Sequence, residues 1–335
     1  MKVGKQTYLL DNKVYIQSAY SLAGPYEAKG NFRDYFDCVM EDDEWKCKSH
    51  EMAEIEMQRF VIGECLAKVN VSPLDCGAIM GGDLINQIVP TSFSARDFHT
   101  PFMGLYNACA TFGEALSIGS TLVGGDFDKI ICCTSSHYAT AERQYRYPLE
   151  LGTQPTPESQ WTVTGSGAVL LSKKAGEYPL VKGYTVGRVL DFGLTDPNNM
   201  GGAMAPAAAN TIITHFKDTG RSPDYYDLII TGDLGRFGRE TLHYLCKKEG
   251  YELNNLNDCG SMMYCDKQKA GQGGSGAGCC SLVFASYLYK KLVDKSLKKI
   301  LFVPTGAMLS KDSALQGESI PGIAHAVIIE REDWY

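Results

Sequence analysis

The sequence of residues 107–125, NACATFGEALSIGSTLVGG, decides the fold of this chain. Between Ala108 and Val123 the only charged residue is Glu114, and the other residues are apolar or small. A helix that is apolar on all sides belongs in the interior of a protein, and about 15 residues are too few to span a bilayer. The stretch therefore predicts a buried helix with Cys109 at its N-terminus.

The position of Cys109 makes it the first candidate for a functional residue. The unpaired N–H groups and the dipole at a helix N-terminus favour a thiolate or a bound anion. The alternative is a small apolar cysteine that only fills the core.

Composition excludes several classes of function. The net charge is −7 and the sequence has no basic stripe, which argues against nucleic acid as a partner. No segment approaches 18 consecutive apolar residues, and the N-terminus lacks the apolar core of a signal peptide. We therefore expect a chain that stays in the cytosol with its twelve cysteines reduced, and their spacing predicts neither a metal site nor another cofactor.

A repeated pattern predicts an internally duplicated α/β fold. Three features recur at similar offsets: Gly-Asp-Leu at 82–84 and 232–234, Cys109 and Cys279, and Lys129 and Lys299. The last two pairs are both 170 residues apart, and each lysine leads into an apolar strand. Such a repeat predicts two similar halves, 1–178 and 179–335, each with a mixed sheet and a buried central helix. In the first half, residues 8–19 predict two short strands around a turn at Asp11 and Asn12.

Several motifs resemble those of a known superfamily. They are GGDLINQ (81–87), NACATFGEAL (107–116), TSSHYATAERQYRYP (134–148), TVTGSGAV (162–169), AMAPAAANTI (203–212), TGDL (231–234) and GGSGAGC (273–279). The layout resembles the thiolase and ketoacyl synthase superfamily and, within it, the stage V sporulation protein AD family. The resemblance implies a five-layer thiolase-like fold whose active cysteine heads the first buried helix. It also implies a soluble subunit of the channel that moves dipicolinic acid across the spore inner membrane.

The chain departs from the enzymes of this superfamily at two expected positions. Ketoacyl synthases of this pattern use a cysteine nucleophile, with histidine and asparagine stabilising the developing oxyanion. The resemblance places the histidine after the strand 227–230, where this chain has Thr231-Gly232-Asp233, and the asparagine in the glycine loop 273–276, which has none. The second cysteine of thiolases is also missing from residues 304–310. Each lost oxyanion donor costs about 10² to 10³ in rate, so we expect a binding protein rather than an enzyme.

The candidate ligand-binding residues cluster in the shared motifs. They are Cys109, Asp83, Asn86, Ser135, Ser136, His137, Asp233 and Ser275, together with Arg143 and Arg146 as bidentate partners for carboxylates. Each has a structural alternative. Asp83 and Asp233 could brace loops, since an anion pocket disfavours carboxylates. His137 could be a hydrogen-bonded core histidine, and the two arginines could brace their own loop.

Three functions from different classes follow. The first is a non-enzymatic subunit that binds dipicolinic acid or its calcium salt, in uptake during sporulation and in release during germination. The second is a Cys109-dependent acyltransferase with an unusual base such as His137. The third is a structural adaptor with a vestigial pocket. The resemblance implies a peripheral position on the cytoplasmic side of the forespore or spore inner membrane, held by membrane subunits of the channel, and a homodimer formed through residues 129–135.

Overall fold

The computed structural model describes residues 1–145 and 156–332. The strands are β1 (Lys2–Val3), β2 (Thr7–Ala23), β3 (Cys38–Val39), β4 (Ala78–Gly82), β5 (Phe102–Gly104), β6 (Lys129–Ser136), β7 (Trp161–Thr162), β8 (Gly165–Ser172), β9 (Leu180–Thr185), β10 (Leu228–Thr231), β11 (Leu256–Asp258), β12 (Gly274–Ser275), β13 (Lys299–Val303), β14 (Thr305–Ala307), β15 (Gly322–Ala324) and β16 (Ala326–Glu330). The helices are α1 (His50–Ala67), α2 (Val89–Arg96), α3 (Thr111–Gly124), α4 (Tyr138–Tyr145), α5 (Met200–Thr219), α6 (Gly235–Lys248), α7 (Cys259–Met263), α8 (Ala277–Val283), α9 (Tyr289–Val293) and α10 (Lys311–Leu315).

The main sheet is built from two five-strand sets with the same connectivity. The strand order is β5-β4-β6-β8-β2 in the first half and β9-β16-β13-β10-β11 in the second, and β2 pairs with β9 to join them. In both halves the three outer strands are parallel and the next strand inward is antiparallel to them. The duplication predicted from the spacing is present in this topology, and the change from one half to the other falls between β8 and β9.

Two buried helices lie at the centre of the molecule. α3 carries the apolar stretch from which the buried helix was predicted, and Phe112, Leu116 and Val123 on it are fully buried. The equivalent helix of the second half begins as α8, passes through a π-helical turn at Phe284–Leu288 and continues as α9. The rings of Phe112 and Phe284 are 5.8 Å apart, so the two helices meet in one apolar core.

The predicted dimer contact through residues 129–135 needs correction. These residues form β6, which pairs with β4 on one side and with β8 on the other. Since both hydrogen-bonding edges of β6 are occupied within the chain, a strand of a second copy has no free edge to join there. The pairing of β6 bears only on a contact through this strand and not on dimerisation through another surface.

The N-terminal strands also differ from the expectation. Residues 7–23 form the single strand β2 rather than two strands around a turn. Asp11, Asn12 and Lys13 are exposed, and the pairing of β2 with β9 shifts register between Leu9 and Val14. The polar residues that suggested a turn therefore sit in an irregular part of one long strand.

Candidate functional site

The turn before α3 presents Cys109. Residues 108–110 form a short 3₁₀ turn, and Ala108 has a φ of 48°, a left-handed conformation that is uncommon for residues other than glycine. Thr111 stabilises the turn because its hydroxyl donates to the Ala108 carbonyl at 2.7 Å and accepts from the Asn107 N–H at 3.1 Å. As a result, Cys109 is 8% exposed and faces a cavity at the head of the helix.

Asp233 lies behind the Cys109 thiol, after the end of β10. Its carboxylate accepts hydrogen bonds from the Ser275 hydroxyl at 2.7 Å, the Thr305 hydroxyl at 2.8 Å and the Gly276 N–H at 3.1 Å. The charge of this carboxylate also acts on the Cys109 thiol. Burial raises the pKa of Asp233 to about 6, and the hydrogen bonds from Ser275 and Thr305 oppose that rise.

The thiol is therefore held in its protonated form. Burial first, and then the charge of Asp233, raise the pKa of Cys109 well above its usual value. The expectation that the helix N-terminus favours a thiolate is wrong here, because burial and a neighbouring carboxylate outweigh the helix dipole. No histidine lines this cavity in the described part of the chain, so no imidazole base stands beside the thiol.

We name this space the inner cavity; its volume is about 50 Å³. Most of its wall is apolar, from Leu84, Ala108, Ala141, Tyr145, Met200, Met204, Ala307 and Leu309, and its polar residues are Cys109, Glu142, Thr162 and Ser275. The Thr162 hydroxyl donates to the Glu142 carboxylate at 2.9 Å. The inner cavity is thus a small apolar space with a carboxylate in its wall.

A larger space adjoins it, which we name the outer cavity, with a volume of about 580 Å³. The two cavities share Ala108, Tyr145, Ala307 and Leu309, and the outer one adds Asn86, Tyr106, Gln144, Met308 and the segment 310–313. The phenol oxygens of Tyr106 and Tyr145 are 3.0 Å apart. Gln144 ties this wall to the loop after β4, since its Nε2 donates to the Leu84 carbonyl at 2.8 Å.

The structure brings some of the predicted residues together. Cys109 and Ser275 line the inner cavity, Asp233 accepts a hydrogen bond from Ser275, and Asn86 lines the outer cavity. Residues of the repeated Gly-Asp-Leu motif and of the glycine loop therefore lie close together around the inner cavity.

Asp83 and Ser135 line neither cavity and are engaged internally. Asp83 accepts from the Ile85 N–H at 2.8 Å and from the N–H and hydroxyl of Thr91 at 2.9 and 2.6 Å. Ser135 donates to Glu54 at 2.9 Å and accepts from Gln58 at 2.8 Å. Both side chains connect the sheet to α1 and α2.

Ser136 and His137 also turn away from the two cavities. Ser136 donates to the Val163 carbonyl at 2.7 Å. His137 Nδ1 accepts from the Ala139 N–H, so its Nε2 carries the proton that bonds the Asp43 carbonyl at 2.8 Å. Burial lowers the pKa of His137, which favours this neutral form.

Only one of the two predicted arginines falls within the described residues. Arg143 is 3.8 Å from Glu51 at the surface and lines neither cavity. Arg146 lies outside the described residues.

Several lining residues were not predicted. Met200 and Met204 lie one helical turn apart on α5, and that spacing was the available signal. Glu142 and Tyr145 belong to the polar string 134–148, which drew attention only to its serines, histidine and arginines. Nothing in the sequence distinguishes Thr162 from the other threonines in strands.

Metal sites and membrane-spanning helices are absent from the described residues. Within residues 1–145 and 156–332, no three histidine, cysteine or acidic side chains are grouped so that they could hold a metal ion. None of the helices in this described part has the length and hydropathy needed to cross a membrane.

Solved structures share the fold of this chain. Two crystal structures of OleA variants from Xanthomonas campestris are similar over 96% of this chain and over 99% and 100% of theirs, each with a TM-score of 0.62. The sequence identity is 12% in both cases, so the similarity extends to the fold alone. It confirms the predicted thiolase-like fold.

Similarity in sequence is far closer to a sporulation protein. The family model described as stage V sporulation protein AD matches residues 4–330. Stage V sporulation protein AD of Bacillus subtilis (strain 168) is 42% identical over 330 residues, covering 98% of this chain and 97% of that protein. The chain therefore belongs to the stage V sporulation protein AD family.

Proposed function

We propose that this chain is a non-enzymatic subunit that binds dipicolinic acid, alone or as its calcium chelate, for a channel of the spore inner membrane. The observation that carries the proposal is that burial, followed by the charge of the buried Asp233 carboxylate, raises the pKa of the Cys109 thiol. A nucleophilic cysteine needs a base or a depressed pKa, and here a carboxylate raises the pKa instead. The thiolase-like cavity is retained, while the groups that would make it reactive are replaced.

The chemistry of the cavities suits a flat, neutralised ligand. Dipicolinic acid is a planar pyridine with two carboxylates, and its ring needs apolar or aromatic walls such as those of Tyr145, Met308 and Leu309. Glu142 in the wall and Asp233 behind Cys109 disfavour a free dianion. Calcium bound by the ligand, or protonation, would remove that repulsion, so the chelate is the form that we expect to bind more tightly.

The family membership supports the cellular role. We propose uptake of the ligand during sporulation and a part in its release during germination, at the cytoplasmic side of the forespore or spore inner membrane. Attachment would come through membrane subunits of the channel. Dimerisation, if it accompanies this role, uses a surface other than β6.

The test is a calorimetric titration of the purified chain with dipicolinic acid, with and without calcium. Benzene-1,3-dicarboxylic acid, which has the same shape without the ring nitrogen, is the matched control ligand. We expect saturable binding near one site per chain, tighter with calcium, and weaker binding of the control. Absence of heat and of any thermal shift under both conditions would contradict the proposal and leave the structural adaptor.

A further inference from the structure

We propose that the aromatic ring of the ligand binds in the outer cavity, between Tyr106, Tyr145 and the segment that carries Lys311, and not against Cys109. This inference rests on the proposed function and specifies its site. In this proposal the outer cavity binds a small planar aromatic carboxylate. The inner cavity is a smaller space that adjoins the binding site.

Size is the first argument. A cavity of about 150 Å³ is what one benzene ring occupies in a protein interior. The inner cavity has about 50 Å³, which admits a few water molecules but no six-membered ring. The outer cavity has about 580 Å³, which leaves room for a substituted ring and its hydration.

Charge is the second argument. Lys311 lines the outer cavity and is the only lysine or arginine among the described residues that line either space. The outer cavity therefore carries one positive and one negative side chain, Lys311 and Asp312. The charged side chain in the wall of the inner cavity is the carboxylate Glu142. A carboxylate is therefore better placed near Lys311, where an ammonium can form a charge-assisted hydrogen bond.

The remaining polar groups of the outer cavity match a planar acid. The Tyr106 and Tyr145 phenols form a hydrogen-bonded pair at 3.0 Å, and Tyr106 is 50% exposed, so one ring is accessible for stacking. Asn86, in the turn after β4, and Gln144, on α4, supply side-chain amide groups, and the backbone N–H of Asn86 donates to Gln144 Oε1 at 3.1 Å. Aromatic faces and donors thus converge on one space.

Backbone conformation gives further support. Gln87 and Ile88, which follow Asn86, have φ values of 61° and 46°, and Ala108, which lines both cavities, has a φ of 48°. A β-branched residue such as Ile88 rarely adopts this left-handed region. Strain of this kind persists where the surrounding structure enforces it and is concentrated at ligand sites.

The experiment compares three variants by calorimetric titration with dipicolinic acid. Tyr106→Ala and Lys311→Gln change the outer cavity, and Cys109→Ala changes the inner one. We expect the dissociation constant to rise about tenfold or more in each outer variant, as loss of a charged hydrogen bond or a stacking partner implies. Cys109→Ala should stay within about twofold of the unsubstituted chain.

Controls separate the possible failures. Lys248→Gln removes another exposed lysine, on α6 away from both cavities, and should bind as the unsubstituted chain does. Circular dichroism checks that every variant is folded. If Cys109→Ala loses binding while the outer variants retain it, or if all three lose it equally, the placement of the ring is wrong. If the unsubstituted chain does not bind, the proposed function itself fails.

Discussion

Asp83 and Asp233 follow equivalent strands of the two halves, 150 residues apart, but they have different partners. The three hydrogen bonds to Asp83 come from Ile85 and Thr91, all within the first half. Asp233 accepts from Ser275 and Thr305 of its own half, and its charge acts on the Cys109 thiol of the other half. One carboxylate therefore closes a local turn, and the other connects the halves at the site.

The cysteines at the heads of the two buried helices differ in the same way. Cys279 is fully buried, and its sulfur lies 3.7 Å from the Gly232 carbonyl. Cys109 lines the inner cavity and keeps 8% of its surface exposed. The two halves thus have equivalent cysteine positions, and the inner cavity lies where the second-half glycine loop approaches the first-half helix. Position in the repeat alone does not determine which copy carries function.

The largest expected contrast is between Gly82→Ala and Gly232→Ala, the glycines that precede these aspartates. A Cβ on Gly82 would lie 2.0 Å from the Leu105 carbonyl oxygen, which is backbone and cannot move aside. A Cβ on Gly232 would meet the Thr305 N at 2.9 Å. We expect Gly82→Ala to lower the free energy of unfolding by more than about 4 kcal/mol and Gly232→Ala by about 1–3 kcal/mol. Urea denaturation measures both, and equal losses would contradict the difference between the loops.

The second contrast concerns how the free energy of unfolding depends on pH in the unsubstituted chain and in a variant of Glu54. The Glu54 carboxylate, which accepts from Ser135 and Thr140, is fully buried, and this burial, together with the charge of Asp83, raises its pKa to about 8. A raised pKa favours folding below the unfolded-state value near 4.5, and this contribution is lost as pH rises through about 8. The free energy of unfolding should therefore fall with pH by up to about 1.4 kcal/mol per unit in this window.

Glu54→Gln is the variant that isolates this effect. The glutamine can still accept a hydrogen bond from one of the two hydroxyls, those of Ser135 and Thr140, and donate one to the other, so the fold should be retained. We expect its stability to fall less with pH than that of the unsubstituted chain, when both are measured by urea denaturation at several pH values from 5 to 9. Parallel pH profiles would show that Glu54 is ionised at the same pH in the folded and unfolded chains.

The third contrast concerns thiol reactivity. Removing the charge of Asp233 by Asp233→Asn should lower the pKa of Cys109, although burial keeps it above the usual value. Each unit of lowering gives about tenfold more thiolate, and we expect at least that increase in the rate of alkylation by iodoacetamide. Peptide mass spectrometry measures the rate at Cys109. Cys65 and Cys132 are internal controls, because both are fully buried and the charge of Asp233 does not act on their thiols, so their alkylation would rise only if the core opened. An unchanged rate at Cys109 would contradict the role of Asp233.

The smallest contrast is between Cys279→Ala and Cys109→Ala. Loss of the fully packed Cys279 sulfur should cost about 1–1.5 kcal/mol of unfolding free energy, as other one-group core deletions do. Loss of the Cys109 sulfur only enlarges an existing cavity, so its cost should stay below about 1 kcal/mol. Thermal or urea unfolding distinguishes them, and a larger loss for Cys109→Ala would reverse their assigned roles.

Much of the fold could be predicted from the sequence because its signals are local or repeated. The apolar stretch 107–125 contains α3, and the spacing of 170 residues between Cys109 and Cys279 predicted the second buried helix. The irregular part of β2 was not predicted, because its polar residues have the composition of a turn and only pairing with β9 extends the strand. The sequence also does not show which strands lie at the edges of the sheet, and for this reason the interior strand β6 was proposed as an interface strand.

The site was predictable only in part. Asp233 and Ser275 were proposed because Asp233 lies in the repeated Gly-Asp-Leu motif and Ser275 in the glycine loop 273–276, and the structure joins the two by a hydrogen bond beside Cys109. Ser135 and His137 follow a buried strand as a site residue would, but their partners, Glu54 and the Asp43 carbonyl, come from distant segments. Which way such a side chain turns depends on these long-range contacts, which leave no pattern in the local sequence.

The central claim is that this thiolase-like site binds a ligand and does not form an acyl-enzyme. Mass spectrometry of the chain incubated with dipicolinic acid and acetyl-CoA tests it directly, first under native and then under denaturing conditions. We predict one bound dipicolinate in the native spectrum, lost on denaturation, and an unmodified Cys109 peptide. A covalent acetyl group on Cys109, with no dipicolinate adduct, would contradict the account and establish the acyltransferase.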